Sequence, residues 1–171
     1  EWGCFDYSQQ EPRLVVHYAS LDQDTSVFSV KEAYDEGDAD FHTIVAKMAD
    51  IPRTAAKTIN LGLFYGMGKA KLQAELGVSK DKAEELFNIY HDRVPFVKSL
   101  MKSVSNRAQQ RGQIRTLLGR LCRFHLWEPN TFGMHKALPF EQAVQEHGPG
   151  IKRAYTYKAL NKLIQGSAAD M

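Results

Sequence analysis

Cysteine is scarce in this sequence. The 171 residues hold two, Cys4 and Cys122, too few for a disulfide framework and without metal-ligand spacing. They read as reduced thiols of a cytosolic protein. No apolar run approaches the 18 residues that a membrane span needs, and no secretory signal is visible. Internal repeats and low-complexity tracts are lacking as well. Acid is missing from one long stretch: Arg93 to Trp127 contains eight Lys/Arg and no Asp or Glu. What remains is a chain with 43% hydrophobic content, enough for one sizeable core and for one or two domains. It begins at Glu1 and ends in "GSAADM", and both ends read as cut from something longer.

The net charge of +2 conceals an asymmetry. Residues 1–50 carry eleven Asp/Glu against three Lys/Arg, and residues 51–171 carry nine against nineteen. A basic segment beside an acidic one suits a protein that holds a polyanion with one surface and metal ions with another. Two solvated faces of opposite sign give the same count.

Periodicity predicts a mostly helical α+β chain. "EWGCFDYS" is short, apolar and aromatic, as a buried strand is. Pro12 suits the first turn of a helix, and Leu14, Val15, Tyr18 and Leu21 follow at helical spacing. Residues 22–40 read as an acidic loop with a short helix near Val30 to Tyr34. "DFHTIVAKMAD" reads as a helix. Pro52 opens the next one, "RTAAKTINLGLFYG", which is expected to close at Gly66. Ser79 is placed to cap "KDKAEELFNIYHD". Pro95 starts a helix that Gly112 ends. "QIRTLLGRLCRFHLW" reads as a hairpin turning near Gly119. Residues 128–150 read as irregular, "IKRAYTYKALNKLIQ" as helical, and "GSAADM" as the start of another element.

Two runs carry chemistry. Arg53, Lys57, Leu61 and Tyr65 are four apart each, so on a helix they form one slowly turning stripe. It passes from two cations through an aliphatic group to an aromatic ring. A nucleoside triphosphate needs cations at its phosphates and apolar or flat surface at its sugar and base. A helix with a cationic start and a core-facing end has the same pattern, but cations at a helix N-terminus oppose the macrodipole. An anion bound there resolves the conflict. In "LGLFYGMG", Gly62 marks either close approach of a backbone or ligand, or tight packing. The second run is "DYSQQEPR", in which Asp6 ends the predicted strand and Glu11 sits at the turn into the helix. A carboxylate so placed is a common Mg²⁺ ligand and equally a common helix cap.

Together these runs resemble the DNA polymerase I type, family A. "DYSQQEPR" is similar to the family's first motif. "RTAAKTINLGLFYG" is similar to its second, preceded by "DFHT" as the family's Asp-x-His precedes it. "TLLGR" and "LNKLIQGSAAD" are similar to two later segments. The likeness covers nearly the whole chain, with the five runs in the family's order, and "DYSQQEPR" looks more like bacteriophage members than cellular ones. The implied fold is a right-hand polymerase: residues 1–30 partial palm, 31–112 fingers helices, and 113–171 the return to the palm. The implied activity is template-directed DNA polymerisation, in which dNMP passes from a dNTP to a primer 3′-OH. Two Mg²⁺ ions serve it in the complete enzyme. The implied partners are primer-template DNA, dNTP and the rest of the polymerase, in the cytoplasm of an infected bacterial host or of a bacterium.

The resemblance also implies roles for residues. Asp6 and the Tyr7 carbonyl would bind metal. Glu11 would exclude a ribose 2′-OH. Gln9, His42, Arg53 and Lys57 would line the triphosphate, with Lys57 also protonating the leaving pyrophosphate. Leu61 and Tyr65 would face the sugar and base, and Gly66 the template. Asn161 and Gln165 would meet the minor groove, and the basic segment from Arg111 to Arg123 would lie near DNA phosphates.

Four departures stand out. Gln10 and Pro12 replace apolar residues. Leu61 stands where the family usually has Phe or Tyr, and Tyr157 where many relatives have Arg. The family's third motif, His-Asp-Glu, is not among these residues, and Asp170 in "GSAAD" does not replace it. The expectation is that this chain alone does not extend primers. The competing reading is a non-catalytic nucleotide- or nucleic-acid-binding module derived from a polymerase.

Overall fold

The computed structural model describes residues 2–4, 6–37, 39–64 and 69–171. The chain divides into two compact units, residues 1–100 and 101–171.

In the first unit, α1 (Gln10–Leu21) begins where Gln9 adopts a left-handed conformation, φ 53°. Pro12 falls in its first turn, where a missing N–H costs nothing. Leu14, Val15, Val16 and Ala19 are its buried face. Asp24 caps a 3-10 turn (Thr25–Val27) that runs into α2 (Phe28–Asp35). The acidic loop expected over residues 22–40 is therefore largely helical. Asp22, Lys31, Glu32, Asp35 and Glu36 are exposed while Val27 and Val30 are fully buried.

Asp40 opens α3 (Phe41–Ala49), and α4 (Arg53–Phe64) follows Pro52. The expected end of α4 at Gly66 lies outside the described residues. Next come α5 (Lys69–Leu76), which the sequence reading did not anticipate, and α6 (Lys80–Arg93). The Ser79 hydroxyl accepts a hydrogen bond from the Lys82 N–H, the cap expected of it. Phe41, Ile59, Phe64, Tyr90 and Phe96 form the centre of this unit's core. Phe41 meets Phe64 at 6.1 Å and Phe96 edge-on at 6.3 Å between ring centroids. That cluster roots the N-terminus of α3, where the candidate site lies.

The long helix α7 (Pro95–Arg111) starts at its proline and ends at Gly112. Gly112 has φ 68°, and a Cβ there would lie 2.7 Å from the guanidinium carbon of Arg153. The backbone conformation favours glycine, and a side chain there would have to displace the Arg153 guanidinium. In the second unit, β1 (Gln113–Arg115) pairs antiparallel with β2 (Leu121–Arg123), Ile114 opposite Cys122. The turn lies at Thr116–Gly119, as expected.

Further expectations differ from the structure. Trp2 is fully exposed and residues 2–4, 6 and 7 form no strand. Strands exist only as members of a ladder, and among the described residues none lies beside this run. The stretch 128–150 is irregular at residues 130–137 and 148–150 but regular elsewhere: β3 (Leu126–Pro129), β4 (Leu138–Pro139) and α8 (Phe140–His147) lie in or beside it. With β5 (Ile151–Arg153) the strands form an antiparallel sheet of order β4-β3-β5. Ile151–Arg153 is thus strand rather than helix, because Trp127, Glu128 and Pro129 offer it a ladder. The helix begins only after a 3-10 turn at Thr156–Lys158. This α9 (Ala159–Asp170) runs straight through "GSAAD", which is no new element.

No helix among the described residues is long and apolar enough to cross a membrane.

Candidate active site

The first turn of α3 organises the site. Asp40 caps it: the carboxylate accepts from the His42 N–H at 3.3 Å and from the Thr43 hydroxyl. The same carboxylate accepts from the Arg53 Nε at 2.7 Å, across thirteen residues of chain. Burial pushes the Asp40 carboxyl pKa up. Hydrogen bonds from Arg53 and Thr43, the Arg53 charge and the His42 N–H outweigh it and hold it at about 2. Arg53 Nε also reaches the Thr43 hydroxyl at 3.1 Å. Only the Nε edge of the guanidinium is thereby fixed. Among the described residues its two terminal amino groups have no partner.

Lys57 lies one turn along α4, exposed and with no ion pair among the described residues. Leu61, a further turn on, is half-buried. The opposite face of α4 carries Ala56, Ile59, Asn60 and Leu63, all buried. Burying that face turns the Arg53–Lys57–Leu61 stripe outward. The next residues of the stripe, Tyr65 and Gly66, lie outside the described residues.

His42 is tied to α4 from behind. Its Nδ1 is 3.0 Å from the Asn60 amide nitrogen. The Asn60 oxygen in turn accepts from the hydroxyl of Tyr90, and both residues are fully buried. Burial drives the His42 pKa down. Asp40 opposes this, while the charges of Arg53 and Lys57 reinforce it. At neutral pH His42 is a neutral ring beside two cations.

Gln9 ties α1 to the same corner. Its amide nitrogen donates to the Ala39 carbonyl at 2.8 Å, and its oxygen accepts from the Phe41 N–H at 2.8 Å and the Tyr34 hydroxyl at 3.1 Å. These bonds hold a non-glycine residue in a left-handed conformation that is otherwise unfavourable. Glu11 sits half-buried in the first turn of α1. Asp6 and Tyr7 are exposed and, among the described residues, are not bonded to this cluster. No three His, Cys, Asp or Glu side chains gather among the described residues in a way that could hold a metal ion. Asp6 alone offers one carboxylate, which fits one side of a Mg²⁺ shell and not a two-ion site.

In the second unit the "TLLGR" and "GSAAD" runs clasp each other. Asp170 takes the Arg120 Nε at 2.7 Å and the Thr116 hydroxyl. Arg120 donates to the Gly166 carbonyl at 2.7 Å, and Ser167 accepts from the Leu117 N–H at 3.0 Å. A Cβ on Gly166 would come within 2.8 Å of the Thr116 methyl, so glycine lets α9 approach the hairpin. Asp170 is therefore engaged by the fold. Asn161 is half-buried and Gln165 exposed, one turn apart on α9. Tyr157 is exposed, with the Lys158 ammonium 5.6 Å from its ring centroid. Sequence reasoning missed Asp40, Asn60 and Tyr90 as supports. One signal was present: Asn60 is a lone polar residue on the apolar face of α4.

The family model for DNA polymerase family A matches residues 2–171. The chain belongs to DNA polymerase family A. It is 32% identical to a DNA-directed DNA polymerase of Pseudomonas phage M6, covering 99% of this chain and 29% of that protein. With DNA polymerase I of Helicobacter pylori the identity is 31%, over 97% of this chain and 16% of that protein. In structure it resembles the POL domain of Pol1 from M. smegmatis, solved in complex with DNA primer-template and dNTP. The TM-score is 0.68 at 28% identity, over 96% of this chain and 26% of the other. The chain thus spans less than a third of the length of these relatives. Family membership bears out the resemblance read from the five runs, and the mostly helical fold with small sheets bears out the fold class.

Proposed function

We propose that these residues serve template-directed DNA polymerisation by binding the incoming dNTP on α3 and α4 and the primer-template on the second unit. The observation that carries this is the gathering of Arg53, Lys57 and neutral His42 at one corner, with Asp40 fixing one edge of Arg53. Three donors of this kind match the oxygens of a triphosphate. The solved structural neighbour, which contains dNTP and primer-template, supports the reading. Leu61, and Tyr65 beyond the described residues, would face sugar and base, with Gly66 near the template. Glu11 would stand under the sugar and exclude a 2′-OH. The Gln9 amide holds the 39–41 turn in place, and its second amide proton remains for a phosphate. Asn161 and Gln165 would meet the minor groove, and Arg111, Arg115 and Arg123 the phosphates, which fix register without reading sequence. In this scheme residues 1–30 are palm, 31–112 fingers and 113–171 palm again.

The reaction is attack of a primer 3′-OH on the α-phosphate of the dNTP. Arg53 and Lys57 would stabilise charge on the β- and γ-phosphates, and Lys57 would protonate the leaving pyrophosphate. Mg²⁺, when bound, supplies charge stabilisation at the attacking and leaving oxygens. Asp6 and the Tyr7 carbonyl would contribute to holding it. The two-ion arrangement belongs to the complete enzyme, because these residues offer one carboxylate for it.

Two assays test this. The pure chain should give no primer extension, and robust extension would overturn that part of the account. With residues 2–171 transplanted into the matching region of Helicobacter pylori DNA polymerase I, extension should occur and Asp6→Ala should abolish it with DNA binding intact. Unchanged extension in that variant supports the binding-module reading instead.

A further inference from the structure

His42 is the one member of the corner whose hydrogen-bonding sense is not fixed by its charge. A neutral imidazole donates from one nitrogen and accepts at the other. Which does which decides whether the nitrogen left open can serve a phosphate oxygen or repels it.

The answer lies two residues back in the core. Tyr90 is fully buried on α6, and among the described residues its hydroxyl has a single partner, Asn60. The hydroxyl proton must reach an acceptor, since a buried donor left unmade is costly. Only the Asn60 carbonyl oxygen can take it. That sets the Asn60 side chain with its oxygen toward Tyr90 and its NH₂ toward His42. The amide nitrogen can only donate, so His42 Nδ1, 3.0 Å away, must accept. The proton of the neutral ring then resides on Nε2, which has no partner among the described residues. The reverse orientation of Asn60 would place an amide donor against the Tyr90 hydroxyl and leave the hydroxyl proton buried with nowhere to go.

We propose that Tyr90 and Asn60 are positioning residues that lock His42 as the Nε2–H tautomer, so that its open nitrogen donates to an anionic oxygen beside Arg53 and Lys57. The lock stands on the bonding alone. Its use for a nucleotide rests on the function proposed above. Tyr90 acts at a distance of two hydrogen bonds from any ligand. Its role differs from simple packing, because the hydroxyl rather than the ring carries it.

Long-range ¹H–¹⁵N spectra of the full 171-residue chain, labelled on histidine and assigned against His42→Gln, test this. The wild type should show His42 with a protonated Nε2 and a bare Nδ1. Tyr90→Phe keeps the ring, frees Asn60 to turn, and should populate Nδ1–H. Asn60→Asp presents only acceptors and should move the proton to Nδ1 outright. An Nδ1–H ring in the wild type overturns the proposal, even if neither variant folds. So does a Tyr90→Phe spectrum identical to the wild type. Adding dATP should shift the Nε2 resonance. If the proton is on Nε2 and dATP moves nothing, the lock is upheld and the nucleotide reading fails.

Discussion

Asp40 is both the cap of α3 and the anchor of Arg53, and its carboxyl lies at about 2. A depressed carboxyl contributes stability that is present above its ordinary value near 3.8 and is lost as pH falls through about 2. Urea denaturation of wild type and Asp40→Asn should therefore differ most above pH 4 and converge as pH drops toward 2; parallel curves would contradict the assignment. At the neighbouring cation, hydrogen bonds between charged groups are worth roughly 1.5–3 kcal/mol. Arg53→Ala should accordingly lower dNTP affinity about 10- to 100-fold, as read by competition binding. Leu61 offers less flat surface than an aromatic ring, so Leu61→Phe should change dideoxynucleotide use or extension rate in a polymerase carrying this segment. Identical kinetics in both would remove the idea. Arg53, Lys57 and Leu61 were legible in the sequence because helical spacing alone brings them together. Asp40 with Arg53 and Tyr90 with Asn60 are 13 and 30 residues apart. Such pairs depend on tertiary packing and leave no local periodicity to read.

Helix ends were the easiest elements to foresee, since Ser79, Pro95 and Gly112 act on their own backbone. The Ser79 cap should be worth about 1 kcal/mol, so Ser79→Ala should lower the thermal midpoint by roughly 2–4 °C. Gly112→Ala should cost more. It forces a left-handed conformation worth roughly 1–2 kcal/mol and collides with Arg153, whose guanidinium stacks 4.5 Å from the Trp127 ring centroid. A Gly112→Ala melt equal to wild type would show that Arg153 can move aside. The strands β3, β4 and β5 were illegible for the opposite reason. They have two to four residues each, and Ile151–Arg153 became strand only because Trp127–Pro129 lies beside it. The failed strand at residues 2–4, 6 and 7 is the same lesson reversed: strand-like composition without a partner among the described residues makes no ladder.

At the scale of the molecule, the acid-poor stretch from Arg93 to Trp127 enters the second unit, where Arg111, Arg115 and Arg123 are exposed. Arg120 is held by Asp170, so it contributes less free charge than its position suggests. Binding of the chain to primer-template DNA should weaken linearly in log–log with salt, and Arg123→Ala should reduce the slope by about 0.9. An unchanged slope would place the DNA elsewhere. The central claim concerns the first unit, and one measurement bears on it most directly: amide-shift titration of the 171-residue chain with dATP, in wild type and in Lys57→Ala. The expected result is saturable shifts concentrated at residues 40–43 and 53–57, with affinity about tenfold lower in the variant, as for a lost charged contact. Shifts scattered elsewhere, or equal affinity in the two proteins, would contradict a triphosphate site at this corner.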